Sequence, residues 1–343
     1  MVDARAWLLW ALTVLLTASY SRNPLYGILM LLVTTWVHTT CALTEEGDSP
    51  LFVPLRFALF AIPLAAVFNA LSAHIGETRL YELPAWIPLF GGPVTLEAIV
   101  FGAINGLNVT VIFSGFTAFN RALAVRDLIK LTPRALHESG IVLSIALTFA
   151  PQTVRSLHRI REAQAVRGRQ VRGLRDWAPI FTPLLVSALE RALTLAEAMA
   201  SRGFAATAAA AQTGTRVLLA SGLLLLLGGW GGYLFAPNAR GLAGAALGLG
   251  TVLFAGALWQ AGRAVRRTVY RPGRWRARDT LVVAGCLPAL ALLLARRGAF
   301  YYTPYPRLAW PVFEPWVGLC VLGLLVPALI AVFTHSPRKK PQR

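Results

Sequence analysis

The composition of this 343-residue chain excludes an ordinary soluble domain. Hydrophobic residues make up 56% of the chain and charged residues only 14%, whereas a soluble domain carries about 25% charged residues. Several apolar runs approach the roughly 20 residues that an α-helix needs to cross a ~30 Å hydrocarbon layer. The sequence therefore predicts an all-α, polytopic membrane protein in a lipid bilayer.

The net charge of +18 comes from 33 Lys and Arg residues against 15 Asp and Glu residues. In a soluble protein, such an excess would indicate nucleic-acid binding. In a membrane protein the positive-inside rule explains it, because basic loops stay in the cytoplasm during insertion. We therefore expect no nucleic-acid partner.

Residues 1–119 predict an N-terminal bundle of four transmembrane spans. The predicted spans are Trp7–Tyr20, Leu25–Leu43, Leu51–Ala73 and about Val94–Phe119. Glu97 opens the fourth span, and an acid at this depth is a functional candidate by default. Its place in the first helical turn favours a simpler role, which is to match the positive end of the helix dipole.

The character of the chain changes over residues 120–207. Charged residues, mostly arginines, recur every few positions from Arg121 to Asp176, and no window here is a comfortable membrane span. The apolar run ESGIVLSIALTFAPQ is cut short by Pro151 and the arginines that follow it. We therefore predict a cytoplasmic helical insert in this part of the chain.

Residues 208–343 predict a C-terminal membrane region of about four spans, which brings the total to about eight. The predicted spans are Val217–Phe235, Leu242–Gly262, Leu281–Leu294 and Trp316–Phe333. The connection RAVRRTVYRPGRWRARD holds seven arginines and one acid, and the chain ends in SPRKKPQR. Span number and charge bias together predict a multi-pass protein of the cell membrane with both termini in the cytoplasm.

One short phrase occurs twice in the predicted insert. EAQAVRG at residues 162–168 and EAMASRG at residues 197–203 share the pattern Glu-Ala-x-Ala-x-Arg-Gly, with Arg167 and Arg202 at matching positions. The apolar spacing before the first copy predicts a helix from about Ser139 to Arg167, bent at Pro151. Before the second copy, Thr182 is predicted as the N-cap of a helix with Pro183 in its first turn.

The two copies predict two similar helix ends, each with an exposed arginine. Gly168 and Gly203 are suited to the left-handed conformation that closes a helix, and the preceding arginine complements the negative end of the dipole. Small neighbours leave room around each arginine: Ala163, Ala165, Ala198 and Ala200. This geometry suits insertion into a groove whose carboxylate pairs with a guanidinium. The alternative is two ordinary helix ends, and the repetition of the phrase argues against it.

These motifs resemble the transmembrane T component of energy-coupling factor transporters, the ABC-type importers of vitamins and metal ions whose family includes the cobalt-transport permease. That family carries two Ala-Arg-Gly-like motifs at the ends of coupling helices, and the matching segments here are AQAVRG and AMASRG. RNPLYGILMLL, GGPVTLEAIVFGAINGLN and TVYRPGRWRARD are also similar. The resemblance covers about residues 1–207 and 266–297.

The resemblance implies a scaffold that binds two ATP-binding cassette ATPase subunits and one membrane substrate-binding subunit. The two coupling helices would lie across each other, with Arg167 and Arg202 each reaching a groove on one ATPase. ATP-driven closure of the ATPases would move the helices and topple the substrate-binding subunit, which releases its cargo. The fifth, sixth and eighth predicted spans depart from the family pattern.

Two other classes of protein remain as alternatives, an integral membrane enzyme and a self-sufficient secondary transporter. The sequence contains no H-E-x-x-H, no G-x-S-x-G and no phosphate-binding G-x-x-x-x-G-K-[ST], so energy from ATP must come from a partner. His38 and Cys41 lie near each other on one predicted helix but do not specify a metal site. We expect no catalytic residue, metal or cofactor. The predicted spans also hold few of the buried charges that a secondary transporter uses.

Overall fold

A computed structural model describes the chain at residues 2–42, 52–82, 92–133, 136–168, 173, 177–204, 213–235, 239–264 and 275–334. Twelve α-helices, two 3₁₀ turns and one pair of short strands are described there. In chain order the elements are α1 Ala4–Tyr20, α2 Pro24–Ala42, α3 Phe52–Ser72, β1 Arg79–Glu82, β2 Pro93–Thr95, α4 Leu96–Ala122, α5 Val125–Ile129, α6 His137–Val166, α7 Ala178–Ser201, α8 Thr213–Phe235, α9 Arg240–Ala264, α10 Ala277–Ala295, a 3₁₀ turn Arg297–Phe300, α11 Pro315–Leu322, a 3₁₀ turn Gly323–Leu325 and α12 Val326–Thr334.

The prediction of an all-α, polytopic membrane protein is confirmed. Within the described ranges, nine helical segments are long and apolar enough to cross a membrane. Seven of them match predicted spans, and the remaining predicted span is the shorter apolar helix α1. The last span is interrupted, since α11 and α12 are joined by the 3₁₀ turn Gly323–Leu325.

The other two of these nine segments lie in the predicted insert, at Ser139–Val166 and Ala178–Ser201. The expectation that no window there could span a membrane is therefore wrong as far as length and composition go. The physical reason is that the charges of α6 gather in its C-terminal half, which leaves its first half apolar. Both segments have a mean hydropathy of 1.2, at the low end of the nine.

The chain divides into two compact units, residues 1–128 with 271–343, and residues 129–270. The three-part division predicted from the sequence remains a prediction. The first unit contains the four N-terminal spans, the strand pair and the helices α10 to α12. The second contains α6, α7, α8 and α9.

Close backbone approaches hold the first unit together. A Cβ on Gly102 of α4 would lie only 2.5 Å from the Ala65 carbonyl oxygen of α3. A Cβ on Gly285 of α10 would lie equally close to the carbonyl oxygen of Gly323. Each glycine is thus required by packing, since any side chain would push two helices apart.

Polar groups tie the helix ends of the first unit across long stretches of sequence. The buried carboxylate of Asp279, at the start of α10, accepts the backbone N–H of Asp3 at 2.7 Å and that of Arg276 at 2.8 Å. At the opposite ends of α1 and α10, the N–H of Arg22 donates to the Phe300 carbonyl at 2.9 Å. Helices α1 and α10 therefore begin at the same side of this unit, as odd-numbered spans should.

Two helices of the second unit, α8 and α9, form a glycine-packed hairpin. A Cβ on Gly222 would lie 2.9 Å from the backbone nitrogen of Phe254, and a Cβ on Gly250 would lie 2.9 Å from that of Leu226. Small residues of this kind let two membrane helices approach closely. An arginine lies over an aromatic ring near each end of α9, Arg240 over Tyr233 and Arg263 over Trp259. Such pairs suit the two membrane interfaces, where amphipathic rings collect.

Candidate functional site

The two copies of the repeated phrase form two helix ends with matching backbone. Helix α6 ends at Val166, and Arg167 follows as C-cap with φ −81° and ψ 11°. Helix α7 ends at Ser201, and Arg202 follows as C-cap with φ −87° and ψ 5°. The predicted helix ends are therefore confirmed.

Both glycines take the left-handed conformation, with φ +75° at Gly168 and φ +72° at Gly203. The N–H of Gly168 donates to the Ala165 carbonyl and that of Gly203 to the Ala200 carbonyl, both at 2.9 Å. After the second copy, the N–H of Phe204 also donates to the Met199 carbonyl at 3.0 Å. This pair of bonds is a Schellman motif, which satisfies carbonyls that the helix end would leave without donors.

The surroundings of both arginines are open. Arg167, Arg202 and the four predicted neighbours Ala163, Ala165, Ala198 and Ala200 are all exposed. A Cβ placed on either glycine would meet no atom within 4 Å. Within the described part of the chain, neither guanidinium has a hydrogen-bond or ion-pair partner. Each is therefore able to reach an external acid.

The predicted start of the second helix is wrong. Helix α7 begins at Ala178 after Trp177, and Thr182 lies inside it, where its hydroxyl donates to the Ala178 carbonyl at 3.1 Å. Pro179 occupies the first-turn position that had been assigned to Pro183. A proline in the first turn is compatible with a helix start because its missing N–H has no partner there. Two prolines four residues apart left the choice open in the sequence.

The remaining candidates make structural contacts. Buried Glu97 accepts the backbone N–H and the hydroxyl of Thr78, the latter at 2.7 Å, which joins the strand β1 region to the start of α4. His38 lies 2.9 Å from the Arg121 guanidinium through its Nε2 atom. Among the described residues, no group of three His, Cys, Asp or Glu side chains could hold a metal ion.

Two residues with important contacts were not predicted from the sequence. Asp279 counted only as the single acid of a basic loop, although an acid at the third position of a helix is a capping signal. Arg191 of α7 was given no role in the sequence analysis, yet its guanidinium donates to the Ser156 hydroxyl of α6 at 2.7 Å. No sequence signal marks that contact, because it depends on where two helices cross.

The fold and the paired helix ends define a polytopic helical membrane protein that presents two exposed, arginine-bearing helix termini. A model of the cobalt transport protein family, CbiQ, matches residues 1–215, which is more than half of the chain. The chain therefore belongs to this family. The match ends at the start of α8, so the α8–α9 hairpin and the later spans lie beyond it.

Curated relatives carry the name energy-coupling factor transporter transmembrane protein EcfT. The Staphylococcus aureus protein is 36% identical over 93 residues, 25% of this chain and 34% of that relative. The Exiguobacterium sibiricum protein is 28% identical over 163 residues, 44% of this chain and 60% of the relative. The Listeria monocytogenes EcfT 1 is 29% identical over 133 residues, 33% and 49% of the two chains. The chain thus spans between about a third and three fifths of these relatives' length.

Proposed function

We propose that this chain is the transmembrane scaffold of an energy-coupling factor importer. In this role it binds two ATP-binding cassette ATPase subunits and a membrane substrate-binding subunit, and it couples ATP hydrolysis to release of a vitamin or metal ion. The chain itself carries out no catalysis. The observation that carries the proposal is the pair of matching, exposed arginine–glycine helix ends in a member of this family.

The physics of the two ends fits a contact that transmits force. A planar, exposed guanidinium pairs with a carboxylate through two parallel hydrogen bonds, which fixes orientation as well as position. The left-handed glycine after each arginine ends the helix there, so each arginine lies at a helix terminus. Two similar ends call for two similar sockets, which a dimer of ATPases supplies.

In the proposed role the chain crosses the cell membrane, and both of its termini and the arginine-rich connection lie in the cytoplasm. The shared cap at Asp279 supports this, because it brings Asp3 beside the end of that connection. Basic loops remain cytoplasmic, so the chain start is then cytoplasmic as well. The last span begins near the opposite end of α1, where Asn23 donates to the Val312 carbonyl, and it therefore returns the C-terminus to the same face.

The test is purification of the tagged full-length chain from its native membranes, with mass spectrometry of what accompanies it. The expected companions are two nucleotide-binding subunits. Arg167→Ala and Arg202→Ala are each expected to weaken their retention, since truncating one partner of a desolvated charge pair costs about 2–5 kcal/mol, or roughly 30-fold or more in affinity. The double variant should retain least.

The matched control is Arg159→Ala, which removes an exposed arginine of the same helix but outside the repeated phrase. It should retain both ATPases and support uptake like the unchanged chain. Normal uptake by the double variant, or equal losses with the control, would contradict the proposal. A chain that purifies alone and shows its own catalysis would favour a membrane enzyme.

A further inference from the structure

The sequence separation between the two motif arginines also relates other positions of α6 and α7. Arg202 follows Arg167 by 35 positions, and Arg191 follows Ser156 by the same 35 positions. The half-buried positions of the two helices obey this offset too. The matching half-buried pairs are Phe149 with Leu184, Thr153 with Ala188, Ser156 with Arg191, Ile160 with Leu195, and Gln164 with Met199.

The two helices are thus similar in the face they bury as well as in their last seven residues. Four positions are half-buried on one helix and exposed on the other, so the similarity is approximate: Leu147, Leu157, Pro179 and Ser187. The two helices thus present similar half-buried positions, and the Ser156–Arg191 bond shows that they touch at an equivalent position, as two copies of one element do when a twofold axis relates them. Ser156 and Arg191 lie at the equivalent position where the helices touch.

Arg191 donates hydrogen bonds both to its own helix and to α6. Its Nε donates to the Ser187 carbonyl of its own helix at 3.1 Å, and one terminal nitrogen donates to the Ser156 hydroxyl at 2.7 Å. The same nitrogen lies 3.3 Å from the Ser187 hydroxyl. Of the hydrogen bonds described for these residues, the bond to Ser156 is the one that joins α6 to α7. The guanidinium fork is rigid, so anchoring one edge on α7 aims the other at α6.

We propose that Arg191 sets the register at which α6 and α7 cross, so that Arg167 and Arg202 stand at equal distances from the crossing. Each motif arginine lies eleven residues beyond its member of the pair, or roughly 16–17 Å along the helix at 1.5 Å per residue. A slip of one helical turn would lengthen one of these two distances relative to the other by about 5 Å. Arg191 is a positioning residue. The reason for keeping the two distances equal rests on the proposed function.

Arg155 provides a control for the hydrogen bond between the two helices. Arg155 lies on α6, one position before Ser156, and its Nε donates to the Pro151 carbonyl of its own helix at 3.3 Å. It therefore repeats the anchoring half of the Arg191 geometry without a bond to the other helix. Arg155→Ser removes the same charge and the same self-anchoring, and it serves as the matched control for Arg191→Ser.

The experiment measures the separation of two nitroxide labels on the full-length chain in lipid nanodiscs by pulsed electron–electron spin resonance. Ketone-bearing residues at Glu162 and Glu197, both exposed and 35 positions apart, take the labels, so that Cys41, Cys286 and Cys320 stay unmodified. The unchanged chain should give one principal separation. Arg191→Ser should raise the population outside it by about tenfold, in line with the loss of one charge-assisted hydrogen bond.

The decisive variant exchanges the two residues. Ser156→Arg/Arg191→Ser moves the guanidinium to the equivalent position of the other helix, where it faces a serine again. The double exchange should restore the principal separation, and Ser156→Arg alone should not, because it sets two cations against each other. A general loss of stability would not be repaired in this way.

Two results would overturn the proposal. One is an Arg191→Ser distribution no different from that of Arg155→Ser, and the other is a double exchange no better than the single variants. Both concern only the geometry of α6 and α7. Failure of the proposed coupling function would appear instead as unchanged ATPase retention in the Arg167→Ala/Arg202→Ala chain, so the two failures are distinguishable.

Discussion

The two units of the chain end their helices in different ways. In the first unit, buried side chains close helix ends through partners from elsewhere in the chain, as Asp279 does for α1 and α10 and as Glu97 does with Thr78 at the start of α4. In the second unit, α6 and α7 close with local glycine turns, and the arginine and glycine of each turn are exposed. The first unit thus closes these helix ends with distant partners, whereas the second closes them with local turns that leave Arg167 and Arg202 exposed.

We expect the strongest loss of stability from a variant that breaks the internal kind of closure. Asp279→Ala removes the acceptor of two backbone N–H groups at a position that is only 1% exposed. Losing two part-buried hydrogen bonds to a carboxylate should lower the free energy of unfolding by about 2–5 kcal/mol. Thermal unfolding in detergent checks this, and Glu162→Ala at an exposed position of α6 is the control. Equal unfolding temperatures for the two variants would contradict the distinction.

A smaller effect is expected from filling a tight glycine contact. Gly102→Ala places a methyl group 2.5 Å from the Ala65 carbonyl oxygen, and overpacking of this kind costs about 1–3 kcal/mol. Gly228→Ala in α8 meets nothing within 4 Å and should be neutral or stabilising by up to about 1 kcal/mol, since alanine favours a helix. Gly102→Ala should therefore lower the unfolding temperature and Gly228→Ala should leave it unchanged or raise it. An equal lowering by both variants would count against the packing described for α3 and α4.

The weakest effect concerns the open helix ends themselves. Gly168→Ala and Gly203→Ala create no clash, but each forces a residue with a Cβ into the left-handed region at a cost of about 1–2 kcal/mol. We expect faster amide hydrogen exchange in the last turn of α6 or α7 and an unchanged unfolding temperature. Gly168→Asn should be milder, since asparagine tolerates this conformation. A global loss of stability would show that these ends are not local closures.

Much of the fold followed from the sequence because apolar length is a strong signal. The spans and the ends of α6 and α7 were predicted within a few residues, and the Arg-Gly phrase gave the closing turns directly. The start of α7 was missed because Pro179 and Pro183 compete for the same first-turn role. Arg191 was missed because its partner lies 35 positions away and nothing local marks the contact. Asp279 carries a local capping signal that was overlooked, but its second partner, Asp3, lies 276 positions away and could not be foreseen.

The shared cap at Asp279 also bears on how the protein is made. Its partner Asp3 leaves the ribosome first, yet the carboxylate that receives it is translated 276 positions later. At about 5–20 residues per second, the opening span waits roughly 15–55 s for its permanent neighbour. During that interval water at the membrane surface is the acceptor available to the N–H of Asp3, and α1 can pair with α10 only once α10 has been made.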